Sequence, residues 1–307
     1  MIDDLAPIAV VSEGRPSAKD DWGYLMDSDK SLYNYFHHNL LQKYPEIRGT
    51  FFIPLESYKY MNKEVGYKIH TRDFDATYIQ FLKRISDKFD YAFHGIKHGF
   101  YKNINGTEVL HSEFDHLEES DLEEIKVKIE IFQKESGIFF SGGKYPGYTK
   151  NKYGEKFIHD FGFKWWCDNA KMANKKHPLN SPIINNNITF LPSNICGDIF
   201  NEEISSIYFS DIIKSSLMKI FKIGKRFDPK KYLDWLIENN LPITIQEHFQ
   251  NQRTEGKRQT PNVYDDINSL DQIYSILRNR DIWHTNMSDL SNYYDSYCNT
   301  EIIKKDN

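Results

Sequence analysis

Short apolar segments alternate with amphipathic segments along most of this chain, and this alternation is the feature that most limits its fold. The apolar segments have the length and composition of buried strands, and the amphipathic ones carry apolar residues at helical spacing. A repeated strand–helix order predicts parallel strands joined by crossover helices. The predicted class is therefore α/β, and 307 residues fit a single domain of the barrel type.

The predicted elements follow this order. We expect strands at 8–11, 49–54, 89–94, 138–141, 163–168, 242–248 and 281–284. We expect helices at about 31–44, 76–88, 120–135, 151–161, 228–239, 267–278 and 288–297. The helix that starts at Ser120 has the S-x-x-E pattern of a capping box and Gly137 as its end.

The alternation lapses between about 170 and 227, which we interpret as an insertion in the single domain. Three consecutive asparagines, scattered prolines and a mixed basic and apolar stretch occur there. The insertion is either a lid over the carboxyl ends of the strands or an elaboration without a role in the site.

Charge and composition exclude several classes of protein. The net charge is −5 and no basic stripe is present, so nucleic acid is not an expected partner. No apolar run is long enough to span a membrane, and the first residues lack the features of a secretory leader. The three cysteines are widely spaced, which indicates reduced thiols and a cytoplasmic location.

Three groups of polar residues lie at or after predicted strand ends. They are the adjacent pair Asp20 and Asp21, the pair His94 and His98, and His248. A spacing of four places two imidazoles on one side of a helical turn, within reach of one metal ion. One carboxylate and two imidazoles leave positions open for water and substrate, and this ligand set suits Zn²⁺ among the divalent ions.

Each group also has a structural reading. An aspartate pair in a loop often caps a turn or a helix. The two histidines of the pair can be unrelated surface residues. A histidine at a strand end can be held by a backbone carbonyl without any catalytic role.

The order of these segments resembles the polysaccharide deacetylases, the NodB-homology enzymes of carbohydrate esterase family 4. The likeness runs from about residue 8 to 294. It is carried by Asp-Asp at 20–21, Thr-Phe-Phe at 50–52, H-x-x-x-H at 94–98, a Pro-Gly loop at 146–147 and the strand ending at His248. The resemblance implies a distorted (β/α) barrel of seven or eight strands, as in glycoside hydrolases and deacetylases.

The resemblance also implies roles for the first two motifs. Asp20 would be the general base, and Asp21, His94 and His98 would bind a divalent metal ion, most plausibly Zn²⁺. The first motif departs from the family pattern T-F-D-D-G, because a strand does not run directly into this Asp pair. Gly95 stands where the family has Ser or Thr.

The later motifs imply the remaining roles. His248 would be the general acid that protonates the leaving amine, and Asp168 would orient it. Lys144 stands where the family has an arginine against the catalytic base, and a lysine cannot grip a carboxylate with two parallel hydrogen bonds.

The implied function is metal-dependent removal of an N-acetyl group from an amino sugar in a glycan or a glycan precursor, within glycan biosynthesis. Peripheral contact with a lipid-linked substrate is compatible with it. Two alternatives share the fold, namely a catalytically silent glycan-binding relative and a deformylase acting on a lipid-linked amino sugar. A non-haem Fe(II) oxygenase also uses two histidines and one carboxylate, but on an all-β scaffold and in another motif order.

Overall fold

A computed structural model describes most of the chain. The described residues are 1–5, 8–12, 15–16, 28–29, 31–55, 68–71, 76–115, 117–149, 151–169, 181–201, 222–223, 226–249 and 259–300. Among them, no helix is long and apolar enough to cross a membrane.

The strands and helices are as follows. The strands are β1 (Ile2–Asp3), β2 (Ile8–Ser12), β3 (Arg15–Pro16), β4 (Gly49–Ile53), β5 (Lys68–Thr71), β6 (Phe89–Phe93), β7 (Gly99–Ile104), β8 (Thr107–Ser112), β9 (Gly142–Lys144), β10 (Trp165–Asn169), β11 (Ile183–Asn185), β12 (Ile188–Ser193), β13 (Ile195–Cys196), β14 (Lys222–Ile223), β15 (Arg226–Phe227) and β16 (Ile245–His248). The helices are α1 (Leu32–Phe36), α2 (Ala76–Ile85), α3 (Asp121–Ser136), α4 (Lys152–Phe161), α5 (Pro229–Glu238), α6 (Val263–Leu277) and α7 (Met287–Asn299).

One sheet of nine strands carries the fold, in the order β11-β12-β10-β9-β6-β4-β1-β16-β13. All neighbours in this row are parallel except β11 and β12, which form an antiparallel pair. Helices α2, α4 and α5 each lie between two strands of the sheet along the chain, as crossover connections require. The predicted α/β class with a mostly parallel sheet is confirmed.

The two ends of this row are brought together by one continuous stretch of chain. Only Asn194 separates β12 from β13. The first part of the stretch pairs with β10, and the second part pairs with β16. The stretch therefore contributes strands at both ends of the row.

The first strand of the sheet differs from the prediction. We expected residues 8–11 to open the parallel sheet, but β2 pairs antiparallel with β3 and β5 in a separate small sheet. The opening strand is β1, which lies between β4 and β16. Its two residues are followed directly by Asp4. The aspartate pair at the end of the opening strand is therefore Asp3 and Asp4, near the start of the sequence.

The stretch interpreted as an insertion contributes to the main sheet. Its residues 183–196 form β11, β12 and β13, so the strand pattern resumes inside it. Residues 170–180 and 202–221 lie outside the described part of the chain. The stretch 281–284, predicted as a strand, is irregular in the structure.

Of the two end signals predicted for helix α3, only the one at its carboxyl end is present in the structure. Gly137 ends it in the left-handed conformation, as predicted. The capping box does not form, because the Ser120 side chain makes no capping hydrogen bond. Instead, the Asp121 carboxylate accepts a hydrogen bond of 2.8 Å from the Glu118 backbone N–H.

Aromatic side chains pack behind the strand end that delivers His94. Phe93 is fully buried, and its ring lies 5.7 to 6.5 Å from the rings of Phe157, Phe163 and Trp166. Since Phe93 and His94 are adjacent and point to opposite faces of the strand, this packing fixes the depth at which the imidazole sits.

Truncation of this ring should destabilise the fold strongly. We expect Phe93→Ala to lower the free energy of unfolding by about 3–5 kcal/mol, because it removes a buried ring and leaves a cavity. Phe139→Ala removes the same ring at a position that is 73% exposed and should change stability by less than about 0.5 kcal/mol. Urea unfolding followed by circular dichroism measures both, and equal losses would contradict the proposed packing role.

Candidate metal and hydrolytic site

Polar side chains from four strands meet at the carboxyl edge of the sheet. Asp3 ends β1, with Asp4 next to it, and His94 directly follows β6. Lys144 ends β9 and His248 ends β16. Because these strands are parallel, their carboxyl ends share one edge, where α/β proteins hold their functional groups.

Asp4, His94 and His98 form a cluster that can hold a metal ion. Their ligand atoms all lie within 4.8 Å of one another. Oδ1 of Asp4 is 3.0 Å from Nε2 of His98 and 3.6 Å from Nε2 of His94. The side chains of Asp4 and His94 are almost fully buried, while that of His98 is 19% exposed. The cluster thus opens to solvent on the His98 side.

The tautomer of His94 is set by a backbone carbonyl. Its Nδ1 lies 3.0 Å from the carbonyl oxygen of Lys144, so the Nδ1 proton is donated to that oxygen. Nε2 then carries the free lone pair and faces Asp4. A second hydrogen bond of this kind is the usual support of a metal-binding histidine.

Burial and charge set the protonation of the cluster. Burial lowers the pKa of His94 to about 4, so its ring is neutral at pH 7. Burial also opposes charge on Asp4 and His98, but their mutual attraction outweighs it. The pKa of Asp4 is therefore lowered, and that of His98 is raised.

Asp3 is a buried carboxylate held by a buried lysine. Its Oδ2 lies 2.5 Å from Nζ of Lys144, and both side chains are at most 3% exposed. Burial is the largest influence on the pKa of Asp3 and raises it, but the charges of Lys144, His94 and His248 together lower it by more, so the net shift is downward. Oδ1 of Asp3 is buried and has no hydrogen-bond partner among the described residues. Asp3 thus presents one oxygen fixed by a cation and one oxygen open to accept a proton.

Lys144 and Gln246 together fix the orientation of this carboxylate. The amide of Gln246 donates to Oδ2 of Asp3 over 3.3 Å, and its carbonyl accepts a 2.5 Å hydrogen bond from the hydroxyl of Tyr148. Nζ of Lys144 lies 4.3 Å from the centre of the Tyr148 ring, a cation–π distance. Sequence reasoning missed Gln246 and Tyr148 as members of the site. The two-residue period of β16, which puts Gln246 on the same face as His248, is the signal that could have indicated Gln246.

His248 faces Asp3 across the site. Its Nε2 lies 3.8 Å from Oδ2 of Asp3, and its side chain is 12% exposed. Its Nδ1 lies 2.8 Å from the carbonyl oxygen of Pro261. We predicted that Asp168 orients this ring, but the contact at Nδ1 is a backbone carbonyl. Asp168 lies near the end of β10, and its charge acts on Tyr145 and Cys167.

The loop between the two histidines is not the helical turn that their spacing suggested. Residues 94–98 are irregular, and Gly95 and His98 both have positive φ angles, +85° and +62°. One oxygen of Glu113 accepts hydrogen bonds from the backbone N–H groups of Ile96, Lys97 and His98, at 2.8, 3.0 and 3.1 Å. The loop that joins the two histidines is therefore bound along three consecutive residues to one carboxylate oxygen.

The structure brings together four of the predicted site residues, namely His94, His98, His248 and Lys144. The predicted pair Asp20 and Asp21 lies outside the described residues. The carboxylates that the described part of the chain places at the site are Asp3 and Asp4. The signal for them was the sequence Ile2-Asp3-Asp4, in which an apolar residue runs directly into an aspartate pair.

A separate cavity of about 360 Å³ opens at the other edge of the sheet, near the amino ends of β4 and β16. Arg48, Trp283 and His284 are among its lining residues. None of the carboxylates, imidazoles or lysine described above lines it. The chemistry of the site is therefore not located in this cavity.

Comparison with known proteins gives similarity at the level of the fold. No protein-family model matches the sequence, and no curated protein sequence matches it. A candidate polysaccharide deacetylase from Mycobacterium smegmatis is 16% identical over 87% of this chain and 78% of its own, with a TM-score of 0.44. A pseudoenzyme of carbohydrate esterase family 4 from Bacillus anthracis is 11% identical over 84% of this chain and 61% of its own, with a TM-score of 0.41.

A third solved structure is an α-glucanotransferase from Thermococcus litoralis. It is 13% identical over 94% of this chain and 38% of its own, with a TM-score of 0.46. A functional conclusion for this chain therefore rests on the side chains of its own site.

The contribution of the Asp3–Lys144 pair can be measured as the free energy of unfolding at two pH values, with a chelator present to keep the site free of metal. Lys144→Met leaves the Asp3 carboxylate buried without its cation, which should cost about 3–5 kcal/mol at pH 8. The charge of Lys144 helps to keep the pKa of Asp3 below the ordinary value for an aspartate. The stabilisation by the pair is therefore present above the ordinary pKa and is lost as pH falls. In Lys144→Met, burial raises the pKa of Asp3, so the carboxylate can take up a proton at pH 5. The loss of unfolding free energy relative to the wild type should therefore be smaller at pH 5 than at pH 8.

Lys156→Met is the matched control, because Lys156 pairs with Glu119 between two exposed side chains. Exposed pairs contribute little, so this variant should unfold like the wild type at both pH values. A Lys144→Met deficit that is the same at pH 5 and pH 8 would rule out the ionised Asp3 as its cause.

Proposed function

We propose that the protein is a metal-dependent hydrolase that removes the acetyl group from an N-acetylated amino sugar in a glycan or glycan precursor. The observation that carries this proposal is the cluster of Asp4, His94 and His98 beside Asp3, a second, separately neutralised carboxylate. A metal-binding triad next to a base and a histidine acid supplies the groups with which a metal-dependent enzyme can hydrolyse an amide.

The triad fits a divalent transition metal on its own geometry. Oδ1 of Asp4 is buried and faces two imidazole nitrogens, Nε2 of His98 at 3.0 Å and Nε2 of His94 at 3.6 Å. A buried carboxylate oxygen costs free energy unless a cation or a proton satisfies it. One carboxylate oxygen and two imidazole nitrogens suit Zn²⁺ and leave positions for water and a substrate carbonyl.

Asp3 is the proposed general base. A metal held by the triad would polarise the amide carbonyl and lower the pKa of water toward about 7. The open Oδ1 of Asp3 accepts the proton of the attacking water. Lys144 and Gln246 hold the other oxygen, so the carboxylate keeps its orientation while its charge changes.

His248 is the proposed general acid. The Pro261 carbonyl accepts a hydrogen bond from Nδ1, which leaves Nε2 directed toward Asp3 and the interior of the site. In the protonated ring, Nε2 delivers a proton to the nitrogen of the leaving amine when the C–N bond breaks. Acid and base thus act from two sides of one site, with Asp3 receiving a proton and His248 giving one.

An assay of acyl release tests the function directly. The Zn²⁺-loaded protein should release acetate from acetylated chitooligosaccharides or from nucleotide- or lipid-linked N-acetyl amino sugars. Asp4→Ala should lose both metal and activity. Asp3→Asn and His248→Ala should retain the metal and lose activity by about 10²–10⁴-fold, because each removes one proton-transfer group.

His159→Ala is the control, since His159 lies on α4 with an exposed side chain and should leave the rate unchanged. Release of formate from N-formyl amino sugars, without acetate release, would favour the deformylase. Metal binding without release of either acid would indicate a silent relative and would overturn the proposed activity.

Metal affinity should depend on pH through His98. Its pKa is raised in the metal-free site, so a proton competes with the metal there as pH falls, whereas His94 stays neutral down to about pH 4. We expect Zn²⁺ affinity to fall by about tenfold per pH unit below pH 6.5, with release of one proton on binding. Calorimetry at several pH values measures both, and affinity independent of pH would exclude His98 as a ligand.

A further inference from the structure

We propose that Glu113 is the positioning residue of the metal-binding loop, which holds His98 by its backbone from outside the H-x-x-x-H segment. This inference rests on the proposed metal site and assigns to one residue the task of shaping it. The hydrogen bonds of Glu113 go to backbone N–H groups of the loop, so it would act through the loop.

Three consecutive backbone N–H groups point at one oxygen of Glu113. The donors are Ile96, Lys97 and His98, at 2.8 to 3.1 Å. Successive N–H groups directed at one anion form a nest, a backbone conformation that an anion stabilises. The third donor belongs to a metal ligand, so the carboxylate fixes the backbone from which the His98 ring projects.

The hairpin of β7 and β8 delivers Glu113 to this position. Its last pair is Gly99 with Ser112, so His98 and Glu113 lie opposite each other at its base. The N–H of Glu113 donates to the carbonyl of His98 over 3.3 Å, while the N–H of His98 donates to the Glu113 side chain. The two residues are joined in both directions, and the hairpin closes the loop into one unit.

Gly95 is the residue that admits the carboxylate. A Cβ at this position would lie 2.5 Å from Oε2 of Glu113 and 3.1 Å from Cγ of Pro146, and the φ angle of +85° disfavours any other residue. Gly95 is therefore matched to Glu113, because a side chain at this position would meet the carboxylate.

A third segment is tied to the same point. The hydroxyl of Ser112 donates to the carbonyl of Pro146 over 2.9 Å, and Pro146 lies two residues after Lys144. Glu113 thus lies where the metal loop, the base of the hairpin and the segment after Lys144 meet. Displacing it should disturb the geometry of the metal ligands more than the overall fold.

The experiment compares metal binding in Glu113→Ala, Glu113→Gln and Glu119→Gln. Supporting residues of metal ligands typically contribute 10–100-fold to metal affinity, and we expect Glu113→Ala to weaken Zn²⁺ and Co²⁺ binding by about that factor. Glu113→Gln keeps an acceptor without the charge and should lose less. Glu119→Gln removes the same charge from a surface pair with Lys156 and should bind like the wild type.

Two further readouts separate positioning from general stability. The visible absorption of bound Co²⁺ reports ligand geometry, and it should change in Glu113→Ala but not in Glu119→Gln. Gly95→Ala and Glu113→Ala should disturb the same contact. The fold-loss of metal affinity in the double variant should therefore be smaller than the product of the fold-losses in the two single variants. Multiplicative losses, or an unchanged Co²⁺ spectrum and affinity in Glu113→Ala, would overturn the proposal.

Hydrogen exchange of the metal-free protein keeps the test independent of the proposed activity. The amides of Ile96, Lys97 and His98 should be protected in the wild type and exchange faster in Glu113→Ala, while helix α3 keeps its protection. If the wild type binds no metal but the three amides still exchange faster in Glu113→Ala, the proposed metal site is wrong and the role of Glu113 in the loop is retained. Unchanged exchange at the three amides would refute that role even if the metal binds.

Discussion

The buried ion pair of Asp3 and Lys144 is the interaction on which the site depends. The two residues end β1 and β9, which are separated in the sheet by β4 and β6. In a flat sheet three strand spacings are about 14 Å, yet Nζ and Oδ2 are 2.5 Å apart. The lysine and aspartate side chains therefore span the carboxyl ends of β4 and β6 to meet each other. The pair also lets two adjacent carboxylates remain ionised, because Asp3 has the lysine while Asp4 faces the histidines.

The sequence was most informative where a predicted strand ends at a histidine. His94 directly follows β6 and His248 ends β16, so their positions could be predicted without coordinates. The Asp pair could not be found in the same way, because β1 has only two residues and offers almost no periodicity. A longer apolar segment at 8–11 attracted the prediction instead, and only the strand pairing shows that it belongs to another sheet.

The spacing of His94 and His98 illustrates a different limit of sequence reasoning. A separation of four residues predicted that both rings reach one point, and they do. The helical turn assumed as the cause does not exist, because Gly95 and His98 have left-handed backbone angles. The actual cause, Glu113, is fifteen residues from His98 in sequence. A contact made through a hairpin leaves no local pattern by which it could have been predicted.

Two of the three candidate ligands occupy backbone conformations that side chains disfavour. Asp4 and His98 both have a φ angle of +62°, where a residue other than glycine is strained by roughly 1 kcal/mol or more. Such strain persists only where surrounding contacts determine the conformation, and here they do. The N–H of Leu5 bonds to the carbonyl of Phe52 directly after Asp4, and Glu113 holds the backbone of His98. Adjacent residues of an extended strand point to opposite faces, so the left-handed turn at Asp4 lets its side chain reach the same site as that of Asp3. The fold thus accepts local strain at two positions in order to bring a carboxylate and an imidazole to one point.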